Sequence, residues 1–315
     1  MRMTKRNKEL LIKYKSIIGL VGFSLIIAIF NDRFLTIGNI LNVLRQTSIN
    51  SVIAAGMTFI ILTGGIDLSV GSTLALTGAV MASLLSAGVP LIISIILAIL
   101  LGAFVGFLNG VVIAKGKVQP FIATLAMMTI IRGATLIFTN GRPISTGDFI
   151  GADQFYWLGS GKVLGIPAPV YVTVLVFSLA YYLLKHTSLG RYVYALGGNE
   201  EATKLSGINV DLIKYKVYAI SGALAAVGGL IVTARLSSAQ PQAGSGYELD
   251  AIAAVVLGGT SLAGGKGGVI GTIIGALIIG ILNNALNLMD VTSYYQLLAK
   301  GIVILIAVLI DRDFD

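Results

Sequence analysis

Long apolar runs alternate with short polar segments along almost the whole chain. A helix needs about 20 apolar residues to cross the hydrocarbon core of a bilayer, and about ten of the runs reach or approach that length. The amphipathic stretch 35–48 is expected near the outer interface. The pattern predicts an all-α polytopic membrane protein with about ten transmembrane helices. The predicted spans cover residues 16–30, 49–63, 70–87, 90–114, 119–139, 168–184, 213–234, 249–259, 269–288 and 294–310.

Two glycine-rich interruptions, Gly64–Asp67 and Gly258–Gly268, predict short or broken helices. The sequence GGIDL at 64–68 resembles GGTSL at 258–262, and each links a short apolar run to a longer one. Paired short, glycine-interrupted spans indicate a transport pathway, and Gly64, Gly65 and Asp67 are therefore expected to lie on it. Chance similarity stays open as an alternative, because the chain contains 39 glycines.

Composition and charge support a membrane protein and orient it. The chain is 56% hydrophobic and 11% charged, whereas a soluble domain has about 25% charged residues. The net charge of +8 lies mainly in short segments on one side of the predicted spans, which indicates cytoplasmic loops and gives no sign of nucleic-acid binding. Both termini are then cytoplasmic. We predict an N-terminal tail 1–15, a single transmembrane domain 16–311 with a cytoplasmic loop at about 185–212, and a C-terminal tail 312–315.

Catalytic and metal sites are not expected. The chain has no cysteine and a single histidine, His186, which argues against thiolate chemistry, histidine-pair metal sites and a serine–histidine–aspartate triad. The sequence GGKG at 264–267 resembles a phosphate-binding loop. The Walker pattern, however, needs glycine at position 260 and serine or threonine at 267, where this chain has Thr260 and Gly267. We therefore predict no enzyme activity, metal or nucleotide cofactor for this chain.

Several polar residues fall within or beside apolar spans, where they are costly. Asp67 is expected either to cap the third span or to face a pathway as a gate. Asn109, Asn283, Asn284 and Asn287 are candidates to line the pathway, and bonding between helices is the alternative. The remaining cations within spans are expected to pair with backbone carbonyls or a carboxylate, or to reach the interface; these are Arg132 and Lys300.

The polar stretch GGNEEATKLSGI, residues 197–208, predicts a short capped helix. Asn199 suits the N-cap, Glu200 and Glu201 suit the positive end of the helix dipole, and Gly207 suits the left-handed position after the last turn. Ala202, Leu205 and Ser206 would form a small face. A helix of two turns is unstable alone in water, so it either docks on a partner or is an ordinary capped loop.

Four motifs resemble the permease subunits of bacterial ATP-binding-cassette (ABC) importers for ribose and related monosaccharides. The resemblance covers roughly residues 35–310. It rests on GMTFIILTGGIDLSVGS (56–72), IRGATLIFTNGRPI (131–144), ALGGNEEATKLSGINV (195–210) and AIAAVVLGGTSLAGGKGGVIGTIIGALIIGIL (251–282).

The resemblance implies a homodimeric pore in the bacterial cytoplasmic membrane, surrounded by membrane lipids. An extracytoplasmic sugar-binding protein would deliver the sugar, and a cytoplasmic ATP-binding subunit would hold ATP and magnesium. The stretch 199–207 would be the coupling helix that docks on that subunit. Its residues are Asn199, Glu200, Glu201, Ala202, Thr203, Lys204, Leu205, Ser206 and Gly207.

The expected cargo is a monosaccharide, with ribose first. The same machinery carrying another sugar, a sugar-like signalling molecule or a nucleoside is the alternative. A secondary transporter driven by an ion gradient is a second alternative, suggested only by Asp67 and Lys300.

Overall fold

The computed structural model describes residues 5–312 and the side chains of residues 17–303, 305 and 309. Its helices are α1 (Lys5–Phe30), α2 (Ile37–Leu62), α3 (Val70–Ser86), α4 (Leu91–Ala114), α5 (Pro120–Thr139), α6 (Ala152–Ser160), α7 (Ala168–His186), α8 (Ser188–Gly198), α9 (Glu200–Leu205), α10 (Val210–Leu236), α11 (Tyr247–Leu257), α12 (Val269–Leu288) and α13 (Ser293–Arg312). Two short antiparallel pairs complete it: β1 (Ile144–Ser145) with β4 (Ser238–Ala239), and β2 (Lys162–Val163) with β3 (Ile166–Pro167).

Five of the described helices, α4, α5, α7, α10 and α12, are long and apolar enough to cross a membrane. Helix α1 begins at Lys5, so most of the predicted tail 1–15 is helical. Residues 1–4 of that tail and 313–315 of the predicted C-terminal tail lie outside the described residues. The helical architecture is confirmed, while the full number of spans and their orientation remain predictions.

The predicted start of the second span at residue 49 is wrong, because α2 is one helix over Ile37–Leu62; the location of 35–48 near the outer interface stays a prediction. Two polar residues in the first half of α2, Asn39 and Thr47, face α12. The Asn39 and Asn284 amides exchange two hydrogen bonds of 2.8 and 2.9 Å, and Thr47 lies against Gly280 so closely that a Cβ there would overlap the Thr47 hydroxyl. Part of the amphipathic pattern therefore reflects helix packing.

Helix α10 forms the centre of the fold and packs against α2, α3 and α4. Small residues allow its backbone to approach α4 closely. A Cβ on Gly106 would overlap the carbonyl oxygen of Tyr218, and a Cβ on Gly222 would overlap the carbonyl oxygen of Gly102. Only glycine permits this spacing, so α4 and α10 form a tightly packed pair.

Helices α3 and α11, which lie on two of the predicted spans, have 17 and 11 residues. The 11 residues of α11 span about 16 Å, roughly half of a hydrocarbon core. Non-helical segments precede both helices, at 63–69 and 237–246. The starts of the two helices meet, since a Cβ on Gly71 would overlap the Gly244 carbonyl oxygen. The predicted helix breaks at Gly64–Asp67 and Gly258–Gly268 are confirmed.

Helices α6 and α8 were not predicted. Helix α6 lies between the predicted spans 119–139 and 168–184 and packs on α10 and α7. Helix α8 lies in the predicted cytoplasmic loop 185–212 and follows α7 after the single residue Thr187. Its buried face includes Val193 and Leu196, which are three residues apart, as helical spacing requires.

Candidate functional site

Helix α9 has the capped form that its sequence predicts. The Asn199 side chain accepts a hydrogen bond of 2.8 Å from the Ala202 amide, and both carboxylates lie in the first turn. The Thr203 hydroxyl donates to the Asn199 carbonyl oxygen at 2.7 Å and is buried on the inner side. Gly207 has φ +80° and ends the helix. The prediction of a short, capped helix is therefore confirmed.

The outer face of α9 is open. Ala202, Leu205 and Ser206 are exposed, and 88% of Leu205 is accessible. An exposed leucine alone is ordinary. Here it lies on a six-residue helix, a length that is unstable without packing. The face is therefore a candidate docking surface.

The end of α8, directly before α9, lies against both helix breaks. Its last turn contains Gly197, where a Cβ would overlap the Leu62 carbonyl oxygen. That oxygen accepts a hydrogen bond of 2.9 Å from the Gly265 amide. A Cβ on Gly264 would lie 2.9 Å from the Gly64 nitrogen and 3.0 Å from the Gly197 Cα. We call this meeting of 62–64, Gly197 and 264–265 the glycine junction.

A second contact joins α8 to the turn before α12. The Tyr194 hydroxyl donates to the Gly267 carbonyl oxygen at 2.9 Å. Partial burial raises the pKa of the Tyr194 hydroxyl above its ordinary value, because desolvation disfavours the phenolate. Tyr194 therefore remains a neutral donor, and the contact adds to the glycine junction.

A polar cavity of about 540 Å³ lies between α9, the first break and the start of α10. Its lining joins residues far apart in sequence. Among them are Gly64, Gly65, Lys117, Glu200, Lys214 and Tyr218. The predicted pathway glycines and the predicted coupling helix therefore face the same space.

Asp67 is 1% exposed and lies in the non-helical segment before α3. Its Oδ1 accepts hydrogen bonds from the Ser69 amide at 2.9 Å and the Ser69 hydroxyl at 2.6 Å. The Ser69 oxygen in turn accepts from the Asn109 amide at 2.8 Å. Ser69 is the residue at the N-cap position of α3, so the expectation that Asp67 is the cap is wrong. Asp67 instead closes a local turn, and Asn109 fastens that turn to α4.

We expect Asp67→Asn to insert at the wild-type level and to keep most of the transport rate. Asparagine retains the acceptor oxygen that both Ser69 groups use. Asp67→Ala leaves the Ser69 amide unpaired in a buried position and should lower the free energy of unfolding by about 1–3 kcal/mol. Thermal unfolding in detergent and uptake in proteoliposomes measure the two effects. If Asp67→Asn is inserted in normal amounts but no longer supports uptake, this expectation is contradicted. The charge of the carboxylate would then have a direct role in the pathway.

The three asparagines of α12 do not join Asp67 and Asn109. Asn284 is buried and pairs with Asn39, which is the helix-bonding alternative. Asn287 is exposed and accepts from the Gln296 amide at 2.9 Å. Asn283 is partly buried, and its Oδ1 has no hydrogen-bond partner among the described residues. Its place on a pathway stays a prediction.

The cations within predicted spans have the partners that were expected. Arg132 donates to the Pro241 and Ala243 carbonyl oxygens at 2.7 and 2.9 Å. Lys300 forms an ion pair of 3.0 Å with Asp250. Asn50 donates to the same Asp250 oxygen at 3.1 Å. Asp250 was missed, although an acidic residue inside the apolar run 249–259 is a signal for a functional or paired group.

The described part of the chain contains no group of three or more histidine, acidic or cysteine side chains placed to hold an ion. Apart from Asn283, the polar side chains whose hydrogen bonds are given above take part in helix caps, turns and pairs between helices. What the arrangement supplies is a mechanical connection between a surface helix and two helix breaks.

Comparison with known proteins identifies the class. The family model described as the branched-chain amino acid transport system permease component matches residues 39–308. The chain belongs to this permease family. The permease is accordingly a multi-pass membrane protein, and its five apolar helices agree with that assignment. No solved structure matches the chain.

Three similar relatives of the permease are ribose import permease proteins. The one from Haemophilus influenzae is 60% identical over 302 residues, which cover 96% of this chain and 94% of the relative. The one from Escherichia coli K12 is 58% identical over 306 residues, covering 97% and 95%. The one from Bacillus subtilis is 55% identical over 296 residues, covering 94% and 91%. The likeness extends over nearly the full length on both sides.

Proposed function

We propose that this chain is the membrane-spanning permease subunit of an ABC importer that carries ribose across the bacterial cytoplasmic membrane. The observation that carries the proposal is the full-length similarity to three ribose import permease proteins, at 55–60% identity. The exposed face of α9 supports a docking role, and the glycine junction connects the end of α8, next to α9, to the two helix breaks.

In this proposal two copies of the chain form the pore. Each contributes about ten helices, with both termini in the cytoplasm. A cytoplasmic subunit binds and hydrolyses ATP with magnesium, an extracytoplasmic binding protein delivers the sugar, and lipids surround the dimer. The permease itself catalyses no reaction.

The geometry suggests how ATP would drive the pore. The ATPase would hold α9 through its open face around Leu205. Movement of α9 would reach α8 and then the glycine junction, where main chain contacts main chain. Both helix breaks would therefore shift together. The segment with Gly64, Gly65 and Asp67, held by Asn109, would act as the gate.

A second candidate function is transport driven by an ion gradient. One observation favours it, the ion pair between the buried Asp250 and the partly buried Lys300, since titratable pairs within a membrane often belong to proton relays. This candidate requires uptake in the absence of any ATPase. Within the importer the same pair would instead fasten α11 to α13.

The test is ATP hydrolysis in nanodiscs that contain the permease and its ATPase. Binding protein loaded with each of a panel of sugars is added from outside. Stimulation by ribose alone is the expected result. Stimulation by another sugar would keep the class and overturn the cargo. Folded components that show no complex and no stimulation, together with uptake driven by a pH gradient when the permease alone is placed in proteoliposomes, would overturn the importer in favour of the second candidate.

A further inference from the structure

Helix α10 holds two contacts one turn apart, both on the wall of the polar cavity. At its start, the Lys214 ammonium forms an ion pair of 2.6 Å with Glu200 on α9. Four residues later, the Tyr218 hydroxyl donates to the Ile66 carbonyl oxygen at 3.2 Å. Residues four apart lie on one face of a helix. A single face of α10 therefore touches both the coupling helix and the segment next to Asp67.

Packing alone does not require the hydroxyl group of Tyr218. Tyr218 is among the largest fully buried side chains, and a phenylalanine of the same shape would fill the space. The Ile66 carbonyl lies in the non-helical segment 63–69, and no described main-chain amide donates to it. Its other donor is the Thr124 hydroxyl, at a longer 3.4 Å. The Tyr218 hydroxyl is thus the shorter of the two contacts that fix this carbonyl.

We propose that Lys214 and Tyr218 make the start of α10 a tie between α9 and the Asp67 segment, separate from the glycine junction. The inference rests on the proposed function. When the ATPase displaces α9, the ion pair moves the start of α10, and the Tyr218 hydroxyl carries the movement to residues 63–69. Both are positioning residues, since neither needs to touch the sugar.

The chain supplies a matched control for each contact. Tyr218→Phe removes the hydroxyl that binds Ile66, whereas Tyr215→Phe removes a buried hydroxyl of the same helix that has no hydrogen-bond partner among the described residues. Lys214→Met removes the ion pair. Lys216→Met removes an exposed charge for which no ion pair occurs in the described part of the chain.

We expect Tyr218→Phe and Lys214→Met to assemble with the ATPase in wild-type amounts but to respond poorly to ribose-loaded binding protein. The sugar imported per ATP hydrolysed should fall about five-fold, which is the size expected when one hydrogen bond is lost. The two control variants should match the wild type. Loss of packing alone would lower thermal stability without changing this ratio.

The double variant decides whether the contacts act as one tie. If they do, Lys214→Met with Tyr218→Phe is no worse than either change alone, because the first loss already breaks the connection. Independent, multiplying losses would overturn the tie, and so would a wild-type ratio in Tyr218→Phe.

Amide hydrogen exchange of residues 63–69 in the permease without partners gives a readout that does not depend on the cargo. It should quicken in Tyr218→Phe and remain unchanged in Tyr215→Phe. Equal exchange in both variants would overturn the role of the hydroxyl. If ribose-loaded binding protein fails to stimulate ATP hydrolysis by the wild-type complex while residues 63–69 still exchange faster in Tyr218→Phe, that result would count against the proposed function. It would still support the contact between Tyr218 and the Asp67 segment.

Discussion

Gly197→Ala should remove most transport, while Gly198→Ala should leave it unchanged. The two glycines are neighbours at the end of α8. A Cβ on Gly197 would overlap the Leu62 carbonyl oxygen, whereas a Cβ on Gly198 meets nothing within 4 Å. Main chain cannot rotate aside as a side chain can, so the alanine must open the glycine junction and strain the hydrogen bond from Gly265 to Leu62.

Overpacking of this kind costs about 1–3 kcal/mol, and a coupling energy of that size corresponds to a fall of about 5- to 150-fold. Ribose uptake by the assembled importer in proteoliposomes measures it, with each variant compared at equal amounts of inserted permease. The deduced role of the junction would be refuted by a Gly197→Ala variant that transports as well as Gly198→Ala.

The features predicted most accurately from sequence are those set by neighbouring residues. Asn199, the two glutamates after it and Gly207 define a helix through local caps and dipole effects, and α9 has those ends. The helix breaks followed from glycine in the same way. Helix α8 was missed for two reasons. Only Thr187 separates it from α7, and its polar outer residues made the stretch resemble a loop.

Features that depend on distant residues could not be predicted. The polar first half of α2 suggested a membrane interface, yet Asn39 faces Asn284, a residue far away in sequence. Lys300 was expected to pair with backbone carbonyls or a carboxylate or to reach the interface, and only the packing of α13 on α11 selects Asp250. The same holds for the glycine junction. In a chain with 39 glycines, the sequence does not reveal which three segments meet.

Asp67 lies between these two cases. Its carboxylate was expected to cap the third span or to face a pathway, and it instead accepts from the Ser69 amide within a local turn. The structure adds Asn109 from α4, which converts a local turn into a fixed point between two helices. The notable position of Asp67 in the sequence is therefore explained by local geometry and by helix packing together.

Leu205→Asp should leave the permease folded and inserted but unable to retain its ATPase. Leu205 is 88% exposed on α9, so replacing it removes no internal packing. If the ATPase buries this side chain, its loss lowers the binding free energy by about 1.5–3 kcal/mol. An unpaired carboxylate buried at the same contact adds to that cost. The affinity should fall by at least about ten-fold, since each 1.4 kcal/mol is a factor of ten.

Leu164→Asp is the matched control, because Leu164 is 94% exposed and belongs to the turn between β2 and β3, which is expected on the opposite side of the membrane. Both variants are purified from detergent extracts with a tagged ATPase, and the permease retained is compared with the amount inserted. We expect Leu164→Asp to co-purify as the wild type does and Leu205→Asp to be lost. Because α9 keeps its Asn199 cap in either variant, co-purification of Leu205→Asp at wild-type yield would mean that the ATPase binds elsewhere and that the exposed leucine is an ordinary surface residue.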